Sequence, residues 1–233
     1  MQVRKAGLKM RVGSIIAIFV ALSTAAGIAL SYRINGSVNA CYCLMSLFFS
    51  INLMVCYWEM CLFWRRDYIE KRVDYWREYC AETGRSSAAG FMATEVPLGK
   101  ILSPTIWADA WASYSLYDGS YADRRTYGFN VDIGNGFVTV IPSLVLYAAY
   151  TVSFLPALLV GILGAMLFWQ WVYMTSVYVV SFYVAGRHKL IRRGDTYFYI
   201  LGINSFWVLF ALLGLYISVR LIVDGDYSVL GRS

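Results

Sequence analysis

Residues 133–186 read IGNGFVTVIPSLVLYAAYTVSFLPALLVGILGAMLFWQWVYMTSVYVVSFYVAG, 54 positions without an Asp, Glu, Lys or Arg. As one helix this stretch would be about 81 Å long at about 1.5 Å per residue. The hydrocarbon core of a bilayer is only about 30 Å thick, which about 20 residues cross. The stretch is therefore two spans with a tight turn between them. Ser153-Phe154-Leu155-Pro156 is the place for that turn, because Pro suits the first turn of a new helix.

Working outward from it, residues 12–32 form an uncharged run between Arg11 and Arg33, residues 34–64 carry one charge, Glu59, and residues 196–219 carry none. A cleaved signal peptide competes for the first run. Its length and the lack of a clean small-residue cleavage site favour a retained helix. The expected fold is all-α: a single membrane domain over residues 1–233, built as a bundle of five transmembrane helices around an intramembrane cavity. The expected spans are about 12–32, 40–64, 134–153, 157–185 and 197–219.

Composition agrees. Of 233 residues, 59% are hydrophobic and 15% charged, with mean hydropathy +0.56. An ordinary soluble domain is roughly 45–50% apolar and about 25% charged, so a disordered chain is excluded and a soluble enzyme is disfavoured. The net charge of +6 suggests nucleic acid until the basic residues are located. Arg4, Lys5, Lys9 and Arg11 precede the first span, and Arg187, Lys189, Arg192 and Arg193 follow the fourth. The segment 65–127 opens with Arg65 and Arg66 and closes with Arg124 and Arg125, while the intervening loops are nearly bare. That alternation follows the positive-inside rule. It implies a cytoplasmic N-terminus and a C-terminus on the opposite side, and it leaves no charge to be explained by nucleic acid.

The segment 65–127 is not a linker. It holds nine basic and nine acidic residues among many aromatics. Residues 67–79 read as a helix continuing from the second span, Gly84 to Gly90 break it, and Pro97 and Pro104 separate shorter pieces. Its aromatics suggest packing on the membrane surface or over the bundle mouth. The five cysteines, Cys41, Cys43, Cys56, Cys61 and Cys80, are an odd number without paired spacing. They read as apolar fillers rather than disulfides or metal ligands.

A charge inside a span is costly and needs a reason. Glu59 is either a snorkelling carboxylate near Arg65 and Arg66 or an acid or base in a cavity. Asn52, seven residues earlier on the same face, makes a polar stripe. Asp132 and Asn135 lie one turn apart at the start of the third span. Asp132 is either a helix cap or a functional group, and Gly134 and Gly136 around Asn135 allow close approach of a neighbour or ligand. The fourth span brings Gln170, Tyr173 and Tyr178, and the fifth Asn204 and Trp207. Gln170 and Tyr173 share a face. Asn204 also suits a helix–helix hydrogen bond. Such groups converging from several spans are the pattern of a buried ligand cavity. The lone His188, among Arg187, Lys189 and Arg192, reads as a solvated loop residue. Histidine clusters, G-x-S-x-G and phosphate loops are all missing from the sequence.

These residues resemble the emopamil-binding protein (EXPERA domain) family. Trp111, Tyr114, Asp118 and Tyr121 stand at the spacing of the signature found before its third span. Asn204 and Trp207 match its last-helix Asn-x-x-Trp, Tyr173 and Tyr178 its fourth-helix tyrosines, and Glu59 with Phe63 and Trp64 the end of its second helix. The resemblance covers roughly residues 39–223. It departs where the sterol isomerases carry His one turn before the Glu, since Val55 stands there, and where they carry a second Glu, for which Asp132 and Asn135 are the candidates. A weaker similarity, the Trp58-Glu59 pair with a late Asp (Asp224), is to small membrane terpene cyclases of fungal meroterpenoid pathways.

The resemblance implies an isomerase or cyclase acting on a hydrophobic terpenoid-like or sterol substrate, by acid-assisted or pericyclic rearrangement, in the endoplasmic reticulum. Glu59, with Asp132 or Asn135, would carry the chemistry. Asn52, Trp111, Tyr114, Asp118, Tyr121, Gln170, Tyr173, Tyr178, Asn204 and Trp207 would bind substrate. A carboxyl in an apolar site can hold a proton for donation, and aromatic faces steady a developing cation. No cofactor and no metal are expected. The expected partners are the bilayer and the substrate, with a homodimer compatible. The alternatives are a non-catalytic sterol-binding protein, as in the sigma-type receptor branch, and a structural subunit of a membrane complex.

Overall fold

The computed structural model describes residues 8–232; Arg4 and Lys5, counted above for topology, lie outside them. Among the described residues, five helices are long and apolar enough to cross a bilayer. In chain order the elements are β1 (Lys9–Arg11), α1 (Val12–Asn35), α2 (Ala40–Trp64), α3 (Arg66–Thr83), α4 (Ser87–Ala93), β2 (Glu95–Pro97), α5 (Pro104–Tyr114), α6 (Tyr127–Val152), α7 (Ala157–Val184) and α8 (Arg193–Asp224). The protein is an all-α membrane bundle with one short ladder.

The turn between α6 and α7 falls where the uncharged stretch required it. Ser153 ends α6 in the left-handed region at φ 52, and α7 begins after Pro156. Two spans begin earlier than hydropathy suggests. Thr126 caps α6, its hydroxyl accepting from the Phe129 N–H at 3.3 Å, so the helix runs from Tyr127 rather than 134. Asp132 is consequently the sixth residue of a helix and not its cap. α8 starts at Arg193 rather than 197. Both helices contain a stretch of π-helix, Asn135–Thr139 in α6 and Thr196–Gly202 in α8. Such widened turns re-aim side chains and occur often at functional sites.

α2 is the central helix, and α1 rides on the rim with only Val12 and Ser31 fully buried. α2 and α6 are stitched by polar side chains. Thr139 and Ser143 each donate to the carbonyl four residues back, and Asn52 Nδ2 donates to Ser143 Oγ at 3.4 Å. The Tyr42 and Thr151 hydroxyls share a bond of 3.0 Å further along. In hydrocarbon such groups find partners on a neighbouring helix. α7 and α8 approach closely through small residues. A methyl group on Gly161 would meet the Ser218 carbonyl at 2.8 Å, and one on Gly214 would run into the Phe168 ring.

The segment 65–126 folds as a cap over one end of the bundle. β1 and β2 pair antiparallel, Met10 opposite Val96, which ties the chain ahead of α1 to this cap. Arg72 grips Asp109 in a two-pronged bond (2.9 and 3.2 Å), and Trp76 Nε1 donates to Asp109 Oδ1 at 3.0 Å, joining α3 to α5. α5 is then pinned to α2, as Trp111 Nε1 donates to the Trp58 carbonyl at 2.7 Å and the Trp58 and Trp107 rings stack at 5.5 Å. Of the two places expected for these aromatics, they occupy the bundle mouth. His188 is half-buried against Tyr183, its ring 4.9 Å away, rather than solvated.

Candidate functional site

A cavity of about 260 Å³ opens between the cap and the spans, close to the lower limit of about 300 Å³ for small-molecule sites. α2 supplies Trp58 and Glu59, α5 supplies Trp111 and Tyr114, and Tyr121 follows from the loop. α6 contributes Asp132 and Asn135, α7 Trp171 and Tyr178, and α8 Tyr199, Asn204 and Trp207. Among the described residues, two carboxyl groups face this space and no Lys or Arg does.

Glu59 is only 4% exposed. It sits one turn before the end of α2, and the widened turn of α6 brings Asn135 against it. Asn135 Nδ2 donates to Glu59 Oε2 at 2.6 Å, Trp171 Nε1 donates to Asn135 Oδ1 at 2.9 Å, and the Thr139 hydroxyl also donates to Asn135 Oδ1. Asn135 is thus held by two donors while it grips the carboxyl, which is turned into the bundle rather than out toward Arg65 and Arg66. Gly136 makes the approach possible, since a methyl group there would lie 2.8 Å from Glu59 Cβ and 2.9 Å from the Cys56 carbonyl. A methyl group on Gly134 would meet nothing within 4 Å. Asp132, freed from capping, stands one turn from Asn135 on the same wall.

The signature residues split. The Trp111 and Tyr121 rings stack at 4.8 Å, and the Tyr114 hydroxyl donates to the Tyr199 carbonyl at 2.9 Å. Burial pushes the Tyr114 and Tyr121 hydroxyls well above the ordinary phenol range, so both stay neutral donors. Asp118 does not line the cavity. It is fully buried behind Tyr178, accepting the Tyr178 hydroxyl at 2.7 Å and the Ser120 N–H at 2.9 Å and facing Arg187 at 3.3 Å. It anchors the wall rather than contacting a ligand.

Three further residues leave the expected substrate-binding set. Tyr173 is 58% exposed on the outer face of α7, and Gln170 beside it is not in the wall. At about 100° per residue the inward face of α7 is Trp171, Thr175 and Tyr178. Trp171 and Tyr178, seven apart, share that face, and the polar Gln170 and Tyr173 lie off it. Asn52 lies below the cavity floor, where it accepts from Trp207 Nε1 at 3.3 Å. Asn204 lines the cavity but spends its amide on the Ile200 carbonyl of its own helix, at 2.7 Å, one of the carbonyls of the widened turn. Asp224 pairs with Arg220 at 2.9 Å at the far end of α8, remote from Glu59. The α4 side chains Phe91 and Met92 and the α8 residue Tyr199 also line the space. Nothing in their local sequence marks them.

Among the described residues, no three of His, Cys, Asp and Glu come together as a metal ion would need. What the site offers is a gripped carboxyl, a second carboxyl one turn away, neutral phenols and aromatic faces. Compared with protein-family models, curated proteins and solved structures, the chain matches none.

Proposed function

We propose that the protein is an integral-membrane isomerase or cyclase that rearranges a hydrophobic terpenoid-like or sterol substrate, in the manner of the emopamil-binding protein family. One observation carries this reading: the Glu59 carboxyl, held by Asn135 at 2.6 Å, faces an aromatic-walled cavity to which no basic residue among those described contributes. In that setting Glu59 is the acid, delivering a proton to an alkene or carbonyl. Asp132, one turn from Asn135 and ionised at the start, takes a proton from a neighbouring carbon, and passage of that proton from Asp132 to the Glu59 carboxylate restores both groups for the next turnover. The faces of Trp58, Trp111 and Trp171 steady the cation between the two steps. A pericyclic closure would use the same walls for shape and a phenol to activate a carbonyl. The reading includes an endoplasmic reticulum membrane with the cap on the cytoplasmic side, as positive-inside counting implies.

The test is to incubate membranes containing the protein with sterols and isoprenoid substrates and to follow products by mass spectrometry. Turnover lost in Glu59→Gln is expected; unchanged turnover would remove Glu59 from the chemistry. A non-catalytic sterol-binding role is favoured by Val55, which replaces the His one turn before Glu59 in the isomerases. Recovery of only unmodified sterol after long incubation would select it.

A further inference from the structure

Where α2 ends against α6, three large rings gather outside the cavity. Phe63 and Trp64 come from the last turn of α2, and Phe137 from the widened turn of α6. The Phe63 and Phe137 rings lie edge to face at 5.6 Å, and the Trp64 and Phe137 rings at 5.9 Å. None of the three lines the cavity, and all stay 40–45% exposed. The cluster is therefore an apolar shelf that the rest of the bundle does not cover. Arg66 borders it, with its guanidinium 5.1 Å from the Phe63 ring centre and Nη1 donating to the Phe63 carbonyl at 2.9 Å. Arg65, next to it in the chain, is exposed.

These two arginines differ from others in the cap. Arg72, Arg77, Arg124 and Arg125 each pair with an Asp or Glu. Among the described residues, Arg65 and Arg66 pair with none. The first carboxylates after them, Asp67 and Glu70, are both taken by Arg124, at 2.6 and 2.8 Å. Two uncompensated guanidinium groups are left at the edge of the shelf.

Depth decides what they meet. α2 has 25 residues, about 37 Å at about 1.5 Å per residue. The hydrocarbon core is about 30 Å thick, and about 40–45 Å with its headgroups. A span this long carries its last residue, Trp64, into the interface, where Trp rings concentrate. Arg65 and Arg66 follow at the level of the lipid phosphates, which a guanidinium fork fits with two parallel bonds.

We propose that this shelf binds an anionic phospholipid, its phosphate held by Arg65 and Arg66 and its acyl chains lying on Phe63, Trp64 and Phe137. A zwitterionic lipid carries its own cation beside the phosphate and gains less from unpaired arginines. The bound lipid lies behind the gripped carboxyl, since Phe63 is one turn after Glu59 and Phe137 follows Gly136. The proposal does not depend on any reaction in the cavity.

The test places the protein in bilayer nanodiscs with rising mole fractions of phosphatidylglycerol or phosphatidylcholine brominated on the acyl chains. Bromine quenches tryptophan on contact, and the Trp64 signal is the difference from Trp64→Phe. Half-maximal quenching of Trp64 is expected at about tenfold less phosphatidylglycerol than phosphatidylcholine. Equal mole fractions overturn the site, and this comparison needs no change to the arginines. The paired variant Arg65→Gln, Arg66→Gln is expected to abolish the preference. Arg192→Gln with Arg193→Gln removes the same charge from another exposed pair and is expected to keep it. Equal losses in the two variants would assign the preference to general surface charge and overturn the site. Inorganic phosphate, added at matched ionic strength, is expected to leave the preference intact. Its abolition would give the arginines to a soluble anion and overturn the lipid as occupant.

Discussion

The contact between α2 and α6 at Glu59 turns on a single missing methyl group. An alanine Cβ at position 136 would sit 2.8 Å from Glu59 Cβ, 2.9 Å from the Cys56 carbonyl and 3.0 Å from the Met60 nitrogen. Ordinary carbon contacts are about 3.5–4.0 Å, so the helices must part by roughly 0.5–1 Å. Two of the three obstructing atoms are backbone, so no side-chain rotation relieves them. Such overpacking costs about 1–3 kcal/mol. The separation also stretches the 2.6 Å bond from Asn135 to Glu59 Oε2 to about 3.1–3.6 Å, which weakens an interaction worth about 0.6–1.7 kcal/mol within a membrane. Alanine recovers up to about 1 kcal/mol of helix propensity over glycine. The net expectation for Gly136→Ala is a loss of about 2 kcal/mol, or roughly 4–8 °C in melting temperature for a chain of this size. Gly134, two residues away with nothing within 4 Å, is the control, and Gly134→Ala should raise the melting temperature by about 2 °C through propensity alone. Thermal melts in detergent followed by circular dichroism read both. If the two alanines behave alike, or if Gly136→Ala melts at or above the parent, close approach is not what holds Glu59.

Three other outcomes follow from the same geometry. Tyr178→Phe removes a donor from the buried Asp118 carboxylate and should cost about 2 kcal/mol, while Tyr173→Phe on the exposed face should change the melt by less than about 0.5 kcal/mol; equal effects would contradict the inward face assigned to α7. Asp109→Ala strips Arg72 and Trp76 of their shared acceptor, and urea or thermal unfolding should show a loss of about 2 kcal/mol, with cleavage by added protease concentrated in α3. At the cap surface the hydrogen bond from Arg124 holds the Asp67 carboxyl below the usual carboxylate range. The tie is therefore complete above the unfolded carboxylate pKa of about 3.9 and is lost as pH falls through the lower folded value. Arg124→Ala should bring Asp67 back to ordinary titration in a carbon-13 shift experiment, and an unmoved midpoint would show that the pair has no hold on Asp67.

Much of the architecture was legible because a membrane imposes simple arithmetic. An uncharged stretch of 54 residues cannot be one span, and the turn at Ser153 to Pro156 follows from composition and length. Hydropathy puts the start of α6 at 134, seven residues after the helix begins at Tyr127, because it weighs side chains in bulk. A single Thr126 hydroxyl decides where the helix begins. That shift moved Asp132 from a cap into a cavity wall. On α7 the choice of Gln170 and Tyr173 followed polarity, whereas burial follows helical phase, and phase cannot be read from a helix that is apolar all round. The signature Asp118 was legible as an important residue but not as an anchor, because its partner Arg187 is 69 positions away and had been assigned to topology.

The sequence by itself determined that this chain lives in a bilayer as five helices, and that Glu59 and Asp132 are the carboxyls whose position needs explaining. Both follow from the cost of placing charge or unpaired backbone in hydrocarbon, which every residue reports locally. That Asn135, steadied by Trp171 and Thr139, grips Glu59, and that Gly136 permits the approach, emerges only from the packing of the helices. Those facts depend on helix phase, on a widened turn and on which helices are neighbours, and no one helix encodes its neighbour.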